Sequence, residues 1–465
     1  MFKKVLIANR GEIAVRIIQA CRELDILPVA IFSEPDQDSK HVKLAAETWK
    51  LEGAPNQVYL DVEQIINIAK KCKAEAIHPG YGFLAENGDF ADLCAKNDIT
   101  FIGPSSDVIK MMGSKVESRR VMAKAGVPVV PGTTDPVTTV DEVKKLATEY
   151  GYPVAIKASA GGGGRGLRVV RKEEEVENAL AGAVREGSSY FGSGEVYVEK
   201  YLDRPRHIEV QVIGDNHGNV VHLFERDCSS QRRHQKLLEE SPAARLDPKV
   251  KAELLSSAVK GTKALGYSSA GTLEFLVEDD RFYFLEMNTR VQVEHPITEM
   301  VTGVDIVKEQ IRVAAGMKLS FTQEETSQRG HSIECRVNAE DPNKNFLPNP
   351  GTIHNYVEPQ HPWSRVDSAC YPGYTVLPFY ASLLAKLVVW GKDREEAIAR
   401  MRLALTDFII EGVATTIPFH LALLDDPNFL SGEVTTNYVE KEMMKNWKEL
   451  GPKYEKKNSQ TLAKS

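Results

Sequence analysis

The sequence predicts an α/β protein of several packed lobes, and three observations carry that expectation. The chain of 465 residues exceeds the roughly 250–300 residues at which a single core stops growing. Its first hundred residues alternate short apolar strands with helical periodicity. Proline and glycine clusters then punctuate it at Gly103-Pro104 and from Gly126 to Gly132.

Taken in order, Lys4 to Ala8 reads as a buried strand, because the apolar run breaks at Asn9-Arg10-Gly11-Glu12, too early for a secretory signal. Ile13, Ile17, Cys21 and Leu24 recur at helical spacing from Gly11 to Leu24, and Pro28 to Phe32 is the next strand. An apolar run at Ala76-Ile77, a helix through Phe90 to Lys96 and a strand at Thr100 to Ile102 continue the alternation, which predicts a doubly wound parallel sheet. Its first turn lacks G-x-G-x-x-G, so dinucleotide binding is disfavoured. A helical segment containing Lys115 leads to a small lobe ending near Leu202. Long strands follow at Ile208 to Arg226 and Gly271 to Asn288, then helices, then strands from His331 to Val389. The charged end, Glu440 to Ser465, lacks strong periodicity and is expected to be a frayed helix or tail.

Composition excludes several classes. No apolar run approaches the ~20 residues of a membrane helix, and 26% of residues are charged. Six cysteines without a C-x-x-C pair argue against zinc and against a disulfide framework, and the early break in the N-terminal apolar run leads to the expectation of a cytoplasmic protein. A net charge of -7 and one short basic cluster, Gln231 to Lys236, argue against nucleic acid.

Three segments carry chemistry. Ala158 to Gly166 holds four consecutive glycines between two strand-like runs, so it is no P-loop, which would open a helix. Gly162, Gly163 and Gly164 let backbone N–H groups approach a polyphosphate, with Lys157 on the entering strand as a cation; the alternative is a plain hairpin tip. Thr272 to Val277 and Phe282 to Asn288 read as a hairpin. A turn centred on Asp280 opposes Glu274 to Glu286, an arrangement suited to a divalent cation, with Asn288 on the same face; the alternative is a solvated acidic face in another register. In Arg290-Val291-Gln292-Val293-Glu294, read as extended, alternate polar residues line one wall. There Arg290 and Gln292 could bind a small oxyanion and Glu294 could take its proton; the alternative is an ordinary edge strand.

These segments closely resemble the biotin carboxylase family, as do Ala8 to Ala14, His78 to Asn87, Val198 to Leu202, Glu225 to Ser229, Gln231 to Lys236 and Glu286 to Pro296, in order over residues 2 to 445. The resemblance implies an ATP-grasp fold: an N-terminal Rossmann-like lobe over 1–113, an ATP-grasp region over 114–330 with a small mobile lid at about 130–202, a C-terminal α+β lobe over 331–447, and a tail over 448–465. It implies that Lys115, Lys157, Glu199, Lys200, Leu202, His207, Gln231 and His234 hold ATP, and that Glu274, Glu286 and Asn288 bind two Mg²⁺ or Mn²⁺ ions. Arg290, Gln292, Val293 and Glu294 would hold bicarbonate, with Glu294 as base. Lys236 would bind the phosphate-bearing intermediate, and Arg336 would stabilise the biotin enolate. The chain departs from the family at Tyr380-Ala381-Ser382, usually Tyr-Asp-Ser, at Val357 to Trp363, and at Gln19.

Glu442-Met443-Met444-Lys445-Asn446 lacks the Met that follows a biotinyl-lysine, so biotin is expected on a separate carrier protein. The resemblance further implies a homodimer, carboxyltransferase subunits as partners, and the first half-reaction of acetyl-CoA carboxylase. Alternatives are a pyruvate, propionyl-CoA or other acyl-CoA carboxylase, another ATP-grasp ligase, or a non-catalytic ATP-binding subunit.

Overall fold

The first strand, β1 (Lys4–Ile7), is buried on both faces. Val5 and Ile7 enter one apolar cluster while Leu6 and the adjoining Ala8 enter another. Such a strand needs cover on both sides, which βαβ crossovers supply. With β2 (Leu27–Phe32), β3 (Glu47–Lys50), β4 (Ala76–His78) and β5 (Thr100–Phe101) it forms an all-parallel sheet of order β3-β2-β1-β4-β5. The doubly wound sheet expected from the sequence is present. This computed structural model describes residues 1–133, 135–158, 167–191 and 194–462.

Beyond β4 the chain turns sharply through His78 to Asn87. Gly80 has φ +63°, and a Cβ there would meet Asn9 Nδ2 at 2.9 Å, so only glycine fits without displacing the Asn9 amide. That amide donates to the carbonyls of Pro79 and Tyr81 and fixes the loop at the carboxyl end of the sheet, where open α/β sheets gather their ligands.

The small lobe carries its own sheet, with β6 (Val154–Ala158) flanked by β7 (Leu167–Val170) and β8 (Val196–Lys200), both antiparallel to it. Its core, including Val143, Ile156, Val176 and Val198, is separate from the others. Gly162, Gly163 and Gly164 lie outside the described residues; the strands on either side of them pair as a hairpin.

The largest sheet has eight strands and crosses the boundary expected near residue 330. Its order is β13 (Arg281–Asn288), β12 (Ser269–Glu278), β9 (Arg206–Gly214), β10 (Val220–Arg232), β11 (Gln235–Ser241), β14 (His331–Asn338), then Leu383–Gly391 and Ser364–Ser368. All neighbours run antiparallel. The reason is edge protection: β11 would otherwise present unpaired backbone groups, and β14 covers it.

The β12–β13 hairpin corrects the sequence arithmetic. Its turn is the two residues Asp279 and Asp280, both with positive φ, as a two-residue hairpin requires. Pairs near the turn, such as Phe275 with Phe284, sum to 559 rather than 560; a β-bulge between Glu274 and Phe275 then shifts the register, and Glu274 meets Glu286 after all. The expected pairing holds, for a different reason.

The charged end takes the first of its two expected forms. It forms the helix Trp447–Leu462, preceded by a 3-10 turn at Met443–Asn446, and Trp447 is 4% exposed against Phe419. Aromatic burial holds the start of this helix where periodicity gave no sign of it. No helix among the described residues is long and apolar enough to cross a membrane, and all six cysteines are buried and free.

Phe275 is fully buried, with the rings of Phe282 and Phe284 edge-on to it. Phe275→Ala should cost about 3–5 kcal/mol, read as a lowered urea midpoint for loss of the central sheet.

Candidate active site

The site is built on the inner face of the large sheet. Register aligns Arg226 with Glu209, Glu209 with Glu274, and Glu274 with Glu286, a charged row across four strands. Arg226, Glu209 and Glu274 are buried in it, which is tolerable only if their charges are paired, while Glu286 at its end is exposed. Arg226, fully buried, donates to Glu209 Oε1 at 2.5 Å, Gln211 Oε1 at 2.7 Å, Thr298 Oγ1 at 3.0 Å, Thr272 Oγ1 at 3.2 Å and Gln292 Oε1 at 2.6 Å.

Lys236 reaches this row from β11. Its Nζ lies 2.6 Å from Glu209 Oε2, 2.9 Å from Glu274 Oε1 and 2.5 Å from Glu294 Oε1. The other oxygen of Glu294 accepts from Arg336 Nη2 at 3.0 Å, and Arg336 Nε donates to Glu239 Oε1 at 2.6 Å. Glu294, 2% exposed, is thus gripped between two cations. Burial pushes its pKa up, but Lys236 pulls it down against Glu209's opposition, and Arg336 and Arg226 complete a net lowering. The carboxylate therefore stays ionised, and so has a free lone pair with which to accept a proton.

Glu294 does not lie on a strand. The chain leaves the sheet after Asn288 and turns at Val293–Glu294 into the helix His295–Thr302, with Pro296 in its first turn. The expected extended wall is therefore replaced by a turn, yet Arg290, Gln292, Val293 and Glu294 still line one cleft. Arg290 donates to Glu86 Oε2 at 2.8 Å and to Asn288 Oδ1 at 2.7 Å, and Gln292 Nε2 donates to Glu274 Oε1 at 2.8 Å.

That cleft, of about 630 Å³, is also lined by Tyr81, Lys115, His207, Gln231, His234, Lys236, Glu274, Glu286, Asn288, Arg336, Ala381 and Ser382. Gln231 stands on β10 opposite Lys236, and His234 with Arg233 forms the tight β10–β11 turn, both at positive φ. His207 Nε2 sits 3.1 Å from Glu274 Oε2; burial lowers its pKa, but Glu274 and Glu209 outweigh that and push it up to about 9. Glu286 is raised by burial and then by the like charges of Glu274 and Glu86. Two repelling carboxylates beside the Asn288 amide are a hard oxygen donor set that fits Mg²⁺ or Mn²⁺.

The remaining expected ATP residues stand apart from this cleft, on the small lobe. Lys157 pairs with Glu199 across β6 and β8, so its charge is already matched by a carboxylate. Lys200 Nζ donates to the carbonyls of Gly151 at 2.8 Å and Tyr152 at 3.1 Å. Lys200 and Leu202 line a second cleft of about 830 Å³ that includes Arg206 and Glu278.

Sequence reasoning missed Glu86, Glu209, Arg226 and Glu239. The signal was present in His207-Ile-Glu-Val-Gln-Val212, where polar residues alternate with apolar ones, but that pattern ordinarily means a solvated face. Here both faces of β9 are buried.

The family model described as "Biotin carboxylase, N-terminal domain" matches residues 1–109, "Carbamoyl-phosphate synthase L chain, ATP binding domain" matches 114–322, and "Biotin carboxylase C-terminal domain" matches 334–441. Biotin carboxylase 1 of Bacillus subtilis is 55% identical over 443 residues, 95% of this chain and 98% of that protein. A pyruvate carboxylase subunit from Methanothermobacter thermautotrophicus is 53% identical over 441 residues, 95% of this chain and 90% of that protein. The biotin carboxylase domain dimer of Hydrogenobacter thermophilus 2-oxoglutarate carboxylase, solved with MgADP, ADP and bicarbonate, superposes with a TM-score of 0.86 at 52% identity, covering 95% of this chain and 98% of that one.

Arg226→Met strips Glu209 of a fully buried partner and should lower stability by roughly 3–5 kcal/mol. Glu294→Gln, whose cationic neighbours keep Glu209, Glu274 and Glu239, should leave the urea midpoint close to that of the parent.

Proposed function

This chain belongs to the biotin carboxylase family, and from that premise we propose that it uses ATP and bicarbonate to carboxylate biotin on a separate carrier protein. The observation that carries the reading is Glu294, ionised and buried between Lys236 and Arg336 beside Arg290, Gln292 and Val293.

Bicarbonate is a poor electrophile, and phosphorylating it to carboxyphosphate makes a leaving group of phosphate. Arg290 and Gln292 orient the oxyanion, and Glu294 takes its proton. Lys236 is assigned to the phosphate-bearing intermediate, which would compete with Glu209, Glu274 and Glu294 for its ammonium group. Arg336, at the carboxylate of Glu294, is assigned to stabilise the biotin enolate as negative charge develops on its oxygen. Glu274, Glu286 and Asn288 would hold divalent cations, which when bound neutralise negative charge on the phosphates. Lys115, His207, Gln231 and His234 line the same cleft and are assigned to ATP. Lys157, Glu199, Lys200, Leu202 and the glycines Gly162 to Gly164 are assigned to it from the small lobe, as a lid over the nucleotide that keeps water from the intermediate.

The carrier is taken to be a biotin carboxyl carrier protein, with carboxyltransferase subunits completing the complex, and the favoured context is acetyl-CoA carboxylase in the cytoplasm. The relative named for pyruvate carboxylase, at 53% against 55% identity, supports a keto-acid complex as the second reading. The final acceptor is then a property of the partner subunits, because the roles assigned to the cleft residues all belong to the biotin half-reaction.

Purified protein should release ADP from Mg-ATP only with bicarbonate, faster with free biotin, and Glu294→Gln should lose at least about a hundredfold of that rate. Turnover without bicarbonate would overturn the reading. A homodimer is expected by light scattering at micromolar concentration; the mass of a single chain would remove it.

A further inference from the structure

Lys386 lies on the strand Leu383–Gly391, fully buried, at the register position opposite Arg336. Its Nζ sits 3.1 Å from Glu12 Oε2 and 3.5 Å from Asp367 Oδ2, and it donates to the Val293 carbonyl at 3.1 Å. Ion pairing alone would account for the first two contacts. The third is of another kind, because Val293 is the residue before Glu294 and belongs to the turn that aims it into the cleft.

The same turn is gripped again one helical turn on. Asp367 is held by Arg365 at 2.7 Å, and Arg365 Nη1 reaches Glu299 Oε2 at 2.7 Å. Glu299 stands on the helix His295–Thr302 that begins at the turn, and it also accepts from Arg16 at 3.0 Å. Lys386 and Arg365, joined through Asp367, therefore clamp the turn and its helix to the sheet. Glu12 brings in the N-terminal lobe, and its other oxygen accepts from Tyr81, which lines the cleft. A backbone carbonyl is a fixed handle: a lysine bonded to it sets where the next side chain points, independently of the charges around it.

We propose that Lys386 is a positioning residue for bicarbonate, fixing the Val293 carbonyl so that Val293 and Glu294 meet the oxyanion in register with Arg290 and Gln292. The inference rests on the reading of Glu294 as the bicarbonate base. It assigns Lys386 no contact with substrate and no proton transfer.

The test measures kcat and the KM values for bicarbonate and for ATP in biotin-dependent ADP release. The double variant Lys386→Met, Glu12→Gln removes both members of the pair, so that no charge is stranded between them. It should raise the bicarbonate KM by about tenfold or more while leaving the ATP KM within about twofold. Lys386→Gln keeps a polar group between Glu12 and Asp367 but, being shorter, withdraws the donor from Val293; it should raise the bicarbonate KM likewise, and it decides the matter if the double variant does not fold. A purely structural lysine would lower the active fraction, and hence kcat, with both KM values unchanged, and that result overturns the proposal. Glu294→Gln assayed in parallel separates the two readings. If it is inactive while the Lys386 variants keep the parental bicarbonate KM, only the role of Lys386 falls; if it turns over like the parent, both fall.

Discussion

The structure turns on the requirement that charges on the buried face of the central sheet neutralise one another. Glu209, Glu239, Glu274 and Glu294 would each cost several kcal/mol to hold ionised in a dry interior. Arg226, Lys236, Arg336 and His207 stand within ion-pair distance of them. The cations come from several different strands and the carboxylates from three strands and a turn, so the charge balance holds only in one register. A slip of one residue would send every member of the row to the other face. Where balance fails, the proton makes it up: Glu334 faces Glu239 directly across the ladder, and burial followed by that like charge raises it well above the ordinary carboxylate range.

Much of this was legible in the sequence, and the failures have physical causes. Short apolar runs separated by helical periodicity located the parallel sheet, because strands buried on both sides are continuously apolar and their crossover helices are amphipathic. The Glu274–Glu286 pairing was legible from spacing although the turn was misplaced by half a residue, since the bulge compensated for the error. Arg290, Gln292 and Glu294 were found for their residue types, not for the strand they were expected to occupy. Glu209, Arg226 and Glu239 were hidden because alternation in one strand cannot say whether its polar face meets water or another polar face. Trp447 was hidden in a segment whose surrounding charges masked its single deep anchor.

The two clefts reflect a division of labour between rigid and separable parts. Residues assigned to bicarbonate, metal and biotin chemistry stand on the large sheet or on turns tied to it, where neighbouring side chains hold them. Those assigned to the nucleotide are shared with a lobe that has its own core and sheet. In this arrangement Lys157 and Glu199 satisfy each other, and a polyphosphate reaching Lys157 would compete with a carboxylate for the ammonium group.

The sheet that crosses from one lobe to the next also constrains how the chain can be made. A ribosome delivers β11 long before β14, and Leu383–Gly391 later still, so during synthesis the nascent middle region carries an uncapped edge, a carboxylate cluster still missing Arg336, and a Val293 carbonyl still without Lys386. The middle region cannot mature as an independent unit while it is being translated; its last cations arrive with the C-terminal strands. Dissecting the gene between lobes would therefore yield a fragment with an exposed strand and unbalanced acid, a recipe for chaperone capture rather than a minimal enzyme.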